Sequence, residues 1–180
     1  MRVIFLDIDG VLNWAGTEER LPPKPATGAQ CVGIDPEKVK IFNQIVARCP
    51  DVKVVISSSW RAGHRGLYED WQGLVSYLRS QGVDGDFIGA TPLKMSYINR
   101  GTEIRLWLDG QETMPESFVV LDDDVEGMEP SGRATDEGTV WGLDLAAHLV
   151  KTTWWPISDE GAGLLDTHVD LATQILSRVL

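Results

Sequence analysis

The sequence predicts an α/β protein built in three layers, α/β/α, with helices on both faces of a mainly parallel sheet. Three observations carry that expectation. Short apolar segments alternate with segments whose apolar residues recur every three to four positions, the periodicities of strand and helix. The strand segments are apolar almost throughout, as strands covered on both faces are. Those over 2–7, 52–57 and 117–122 also run out into carboxylates or hydroxyls, on the edge where open parallel sheets bind ligands.

Taken in order, residues 2–7 (RVIFLD) form the first strand, a buried run ending on a carboxylate. Residues 13–35 hold Pro22, Pro23 and Pro25 with Gly16, Gly28 and Gly33 and show little periodicity, so they read as a loop or small flap. Asp35-Pro36 then starts a helix, a capping acceptor followed by proline in the first turn. Val39, Phe42, Val46 and Cys49 keep helical spacing until Pro50 ends it. Residues 52–57 (VKVVIS) make the second strand. Leu67, Trp71, Leu74, Val75 and Leu78 mark a second helix closed by Gly82, and the rest of 62–99 reads as ordinary helix and strand. A third helix opens near Arg100 and turns Ile104, Trp107 and Leu108 inward. Residues 117–122 (SFVVLD) and 148–154 (HLVKTTW) are further strands. Asp166 or Thr167 caps the last helix, whose stripe is Val169, Ala172, Ile175, Leu176 and Val179. No repeat interrupts this order, and 180 residues suit one domain over 1–180.

Composition narrows the function. Sixteen basic residues against 27 acidic ones leave a net charge of −11, which disfavours the basic face that duplex DNA binding needs. No apolar run approaches the ~18 residues of a membrane span. The opening MRVIFLDIDG carries carboxylates where a signal peptide stays apolar. A cytoplasmic protein without a membrane partner is therefore expected. Cys31 and Cys49 form no CxxC pair, in keeping with a reducing compartment. His64, His148 and His168 lack any ligand spacing for zinc, and His148 and His168 read as structural.

The strand ends carry the chemistry. Asp7 and Asp9 lie two apart in extended chain and so share a side, with Gly10 allowing a tight turn behind them. Two carboxylates this close need a shared proton, a cation or a positive ligand group. Asp122, Asp123 and Asp124 form a second acidic strand end. Beside the first, it would make an oxygen-rich site suited to Mg²⁺. A calcium loop fits poorly, because its glycine stands sixth and a glutamate twelfth, whereas Gly10 is fourth and follows a strand. Ser57, Ser58 and Ser59 reach the same edge, followed by a basic cluster of Arg61, His64 and Arg65. That cluster is either a contact for a second phosphate or a solvated basic loop. Trp71 and Trp107 sit on helix stripes and pack. Trp14 and Trp60 follow two of the polar loops, placed either to stack on a substrate ring or to pack the flap.

An apolar strand leading into Asp7-x-Asp9-Gly10-Val11-Leu12 resembles the first motif of the haloacid dehalogenase-like (HAD) hydrolases. Val54-Val55-Ile56-Ser57-Ser58 looks like their second motif, Arg100 stands where the third supplies a basic residue, and Leu121-Asp122-Asp123 looks like the fourth. Ser57-Ser58-Ser59-Trp60-Arg61 with Arg100-Gly101-x-Glu103-Ile104 is further similar to a small HAD group associated with RNA-repair-type phosphatase modules. The resemblance implies a Rossmann-like fold and a Mg²⁺-dependent phosphatase working through an aspartyl-phosphate. Asp7 would be the nucleophile and Asp9 the general acid and base. Asp7, the Asp9 backbone carbonyl and Asp122 or Asp123 would hold the metal. Ser57 or Ser58 would bind a phosphoryl oxygen, and Arg61 lies nearby as a further phosphate contact. Arg100 would balance charge on Asp7, with Lys94 and Arg105 as competing basic residues. Caps in this family are insertions, and 13–35 is too short for a helical one, so no large cap domain is expected. An open site suits a bulky phosphorylated substrate such as a nucleotide or a polynucleotide end. The rival reading is a receiver-like phospho-acceptor or a phosphate-binding module, against which Asp9 supplies an acid and base.

Overall fold

A computed structural model describes residues 1–17, 33–63, 69–93, 99–130, 140–156 and 161–178. Its sheet is parallel throughout and comprises β1 (Arg2–Leu6), β2 (Val52–Ile56), β3 (Asp86–Ala90), β4 (Ser117–Asp122) and β5 (Leu149–Lys151), in the order β3-β2-β1-β4-β5. The helices among the described residues are α1 (Pro36–Arg48), α2 (Trp71–Ser80), α3 (Arg100–Asp109) and α4 (Asp166–Leu176). The fold is Rossmann-like, as the sequence predicts, and no cap domain stands among the described residues.

Alternation along β1 explains the layers. Ile4 and Leu6 join a cluster with Phe42 and Ile45 of α1, Leu74 and Leu78 of α2, and Val169 and Leu176 of α4. Val3 and Phe5 face the other way, onto Ile104 and Leu108 of α3 with Met128 and Leu145. A strand with apolar side chains on both faces has to be covered twice, and these two clusters are the cover. Trp107 stands edge-on to Phe5 at 5.3 Å, and Trp71 packs against the first cluster, so both do the packing expected of them.

The local signals explain most boundaries. Asp35 accepts the Glu37 amide at 3.0 Å with Pro36 in the first turn, and α1 stops at Arg48, before Pro50. Asn99 caps α3 by accepting the Thr102 amide at 2.9 Å, so Arg100 is its first residue. Three boundaries differ from expectation. Asp70 caps α2, which begins at Trp71; Leu67 lies outside the described residues. Asp166 is the first residue of α4 rather than its cap, and His168 Nδ1 accepts the Leu165 amide at 3.1 Å in the capping role. β5 ends at Lys151, earlier than residue 154. Most of the 13–35 flap, together with Val179, Cys31, His64, Arg65 and Lys94, lies outside the described residues. No described helix is long and apolar enough to cross a membrane.

Topology places the site. The chain runs from β1 through β2 to β3 on one side, then returns through α3 to β4 on the other flank of β1. Strand order therefore reverses between β1 and β4, the switch point at which such sheets open a crevice. Leu6 pairs with Ile56 on one side and with Leu121 on the other. The next residue of each strand, Asp7, Ser57 and Asp122, thus forms a row along the carboxyl edge.

Candidate active site

Backbone bonds lock that row in place. The Ser57 amide donates to Leu6 O at 2.8 Å and the Asp7 amide to Leu121 O at 3.0 Å, while Thr152 N donates to Asp122 O at 3.0 Å. Sheet register alone then brings Asp7 and Asp122 together, and the turn after β4 adds Asp123. The three carboxylates offer oxygens within 4.8 Å of one another. Gly10 makes the approach feasible: its φ is +72°, and a Cβ there would fall 2.4 Å from Asp123 Cγ.

Burial and mutual repulsion set the electrostatics. Asp7 is 5% exposed and Asp122 fully buried. Burial raises the Asp7 carboxyl above its ordinary value, against Arg100, a hydrogen bond from Ser58 and the Ile8 amide at 2.7 Å, which pull it down. Asp122 is pushed up to about 9, by burial first and by Asp7 second. Asp123 rises to about 6 for the same two reasons. Three carboxyl groups crowded into a low-dielectric corner favour a hard cation, whose charge would replace the protons they otherwise retain. The donor set, all carboxylate oxygen, fits Mg²⁺ in kind.

Arg100 answers part of this charge. Its Nε lies 2.9 Å from Asp122 Oδ2 and its Nη2 3.5 Å from Asp7 Oδ2. The first is an ion pair without the alignment of a directed hydrogen bond. Burial alone would lower the guanidinium, but Asp7, Asp122 and Glu103 outweigh it and raise it above its ordinary value. Asp7 is the stronger of the two charges acting on Arg100, although its contact is the longer. Of the competing basic residues, Arg105 turns away: it donates to Met128 O, Glu129 O and Leu143 O and ties down the loop beyond β4.

The second motif region supplies polar atoms that differ in their partners. Ser57 and Ser58 are both fully buried. The Ser57 Oγ has no hydrogen-bond partner among the described residues, while the Ser58 hydroxyl interacts with both Asp7 and the Trp60 amide. Arg61 is held internally. It donates to Ser58 O, to Thr91 O at 2.8 Å and to Pro92 O at 3.4 Å, and its Nη2 pairs with Glu103 Oε1 at 2.7 Å. A guanidinium so engaged lines the cavity beside the carboxylates with Ser59, Asn99, Arg100, Glu103 and Asp124, a space of about 330 Å³.

Asp9 stands apart from the three clustered carboxylates. Asn13 Nδ2 donates to its Oδ1 at 3.0 Å and Trp60 Nε1 to its Oδ2 at 2.9 Å. Trp60 is 3% exposed and forms no stacking platform at the mouth. Trp14 is half-buried and its Nε1 donates to Asp35 Oδ2 at 3.0 Å, fastening the loop after β1 to the cap of α1.

Sequence reasoning alone quotes Glu103 only within a motif, without a role, and misses Asn13. Glu103 Oε2 accepts from Arg100 Nη1 at 3.0 Å while its other oxygen pairs with Arg61, so one carboxylate joins the two guanidinium groups. Its spacing of three from Arg100 on one helix was the available signal. His148 bonds Phe118 O at 3.2 Å and stacks on the Phe118 ring; burial, ahead of that bond, leaves it below the ordinary histidine value.

No curated protein and no solved structure matches the chain. A scan against protein families matches residues 3–159 to the HAD domain in Swiss Army Knife RNA repair proteins. That span takes in all of the sheet but Arg2 and every residue gathered at its carboxyl edge, and the chain belongs to this family of HAD domains.

Proposed function

We propose that the protein is a Mg²⁺-dependent phosphomonoesterase that works through an aspartyl-phosphate on Asp7. The observation that carries this reading is the convergence of Asp7, Asp122 and Asp123 within 4.8 Å, with Arg100 set against two of them. Asp7, Asp122 and Asp123 would hold the ion, with the Asp9 carbonyl as a further ligand. The bound ion supplies charge that lets a carboxylate approach a phosphate.

The remaining chemistry belongs to the chain. Asp7 forms a bond to phosphorus as the bond to the leaving oxygen breaks. Asp9 gives that oxygen a proton, then takes one from the water that hydrolyses the intermediate. Arg100 balances the charge left around phosphorylated Asp7, and Ser57 or Ser58 donates to a phosphoryl oxygen. For the substrate, membership of a family of HAD domains in RNA repair proteins supports a phosphorylated polynucleotide end or a nucleotide, and no cap among the described residues stands against either.

Phosphate release from phosphorylated oligonucleotides, nucleotides and sugar phosphates, measured with Mg²⁺, tests the proposal. Release should vanish in Asp7→Asn and on EDTA addition. A stable phosphoprotein without turnover on any substrate would point instead to a phospho-acceptor.

A further inference from the structure

Each oxygen of the Asp9 carboxylate is met by a neutral hydrogen-bond donor. Asn13 Nδ2 reaches Oδ1 at 3.0 Å and Trp60 Nε1 reaches Oδ2 at 2.9 Å. These donors come from different elements. Asn13 closes the turn directly after β1, where its own amide bonds Ile8 O at 3.3 Å, and Trp60 lies in the short 3₁₀ turn Ser59–Ala62 after β2. Asn13 is fully buried, yet its Oδ1 has no hydrogen-bond partner among the described residues. A buried amide that leaves its acceptor unsatisfied is a cost to the fold, so its value lies in the donor that it presents to Asp9.

The two donors differ in what they permit: the Asn13 amide also carries an acceptor, its unpartnered Oδ1, which a half-turn of the amide would present to a proton on Asp9 Oδ1. An indole N–H donates and can never accept. A proton on Asp9 Oδ2 directed at Trp60 would set donor against donor. We infer that Trp60 is a positioning residue that pins Asp9 Oδ2, so that proton exchange with the substrate runs through Oδ1. This inference rests on the phosphatase reading. In the first half-reaction an Asp7 oxygen bonds to phosphorus, the ester P–O bond breaks, and the proton on Asp9 Oδ1 passes to the leaving oxygen. In the second, water attacks phosphorus, the Asp7–phosphorus bond breaks, and the water proton returns to Asp9 Oδ1. Trp60 touches neither substrate nor metal; it acts by holding one carboxylate rotamer.

Leaving-group dependence separates this role from packing. An alkyl phosphate needs a proton on its departing oxygen, whereas p-nitrophenyl phosphate expels a stable phenolate without one. Trp60→Phe keeps a ring of similar shape and removes the N–H. Its kcat should fall by about tenfold or more on the alkyl ester, a fraction of what general acid catalysis contributes, and by less than about threefold on the aryl ester. In an Asp9→Asn background the same substitution should add no further selective loss, because the group it positions is gone. Equal losses on both esters would overturn the inference and leave Trp60 as core. If Trp60→Phe does not fold, judged by circular dichroism, the tryptophan isostere benzothienylalanine, which lacks the N–H, is placed at position 60 and put through the same comparison, and equal losses there overturn it likewise. A wild type inactive on both esters would bring down the phosphatase reading and this inference with it, an outcome distinct from an active enzyme indifferent to Trp60.

Discussion

Asp123 is half-buried, is pushed up to about 6 by burial and by Asp7, and has no cationic partner among the described residues. A carboxyl raised in the folded state binds its proton more tightly there than in the unfolded chain. Its favourable contribution is therefore complete below the ordinary value of 3.8 and disappears as pH climbs through about 6. In EDTA, Asp123→Asn should consequently melt higher than wild type at pH 7.5, and the difference should close by pH 4.5 as wild-type Asp123 becomes protonated. If the proposed site takes Mg²⁺, the order should reverse at pH 7.5 when the ion is added, since the wild type then gains more stability from it than a variant short of one carboxylate. Differential scanning calorimetry reads all four conditions, and an unchanged gap across pH would remove Asp123 from the cluster. The residues that could be read from the sequence are those at strand ends, where parallel pairing brings Asp7, Ser57 and Asp122 to one edge whatever the strand order. Asn13, Trp60 and Glu103 could not be read this way. The contacts of Asn13 and Trp60 with Asp9 and of Glu103 with Arg61 stand across turns, and Trp60 meets Asp9 from 51 positions away, with no periodicity to signal it.

The element that aims the site is α3. Its first turn lies directly on the loop after β4, where the Gly101 amide donates to Glu126 O at 3.1 Å. A Cβ on Gly101 would fall 1.8 Å from Gly127 O, and Gly127 in turn holds φ at +73° beneath the Asn99 cap. Backbone meets backbone here, so no side chain can yield. Gly101→Ala should lift the N-terminus of α3 away from the loop, carrying Arg100 off Asp122 and Asp7. The expected cost is about 1–3 kcal/mol in unfolding free energy, the range for overpacking, together with a loss of phosphate release at saturating Mg²⁺. Gly110→Ala at the far end of the same helix, where the nearest atoms lie at 3.5 Å, should keep both properties, as chemical denaturation and an activity assay would show. The start of α3 is legible because Asn99 is a strong cap and Arg100 follows it. The start of α4 is not, because the cap is a histidine ring nitrogen, which no capping preference anticipates. β3 lacked a clear signal for a related reason: an edge strand with Ile88 exposed and Gly89 within it shows neither a continuous apolar run nor alternation.

At the scale of the whole molecule, the strand order itself was beyond the sequence, because which flank of β1 receives β4 is decided by how α3 packs under Val3 and Phe5. The charge, by contrast, is plain in the composition, and it bears on the substrate. A net −11 surrounds a site proposed to take phosphate esters. A short nucleotide carries little charge beyond the group that reacts, while an oligonucleotide brings a phosphodiester chain across an acidic surface, and that repulsion extends over about a Debye length, ~10 Å at 0.1 M salt. Raising NaCl from about 20 to about 150 mM should therefore lower KM for a phosphorylated oligonucleotide and leave KM for a nucleoside monophosphate within about twofold. Most nucleic-acid-binding proteins behave oppositely, losing affinity as salt competes with their basic contacts. The reverse slope, a KM for the oligonucleotide that climbs with salt while the mononucleotide stays flat, would mean that a local basic surface overrides the net charge. Arg65 and His64 would be the first residues to replace, since Arg61 already spends its guanidinium on Glu103 and three carbonyls.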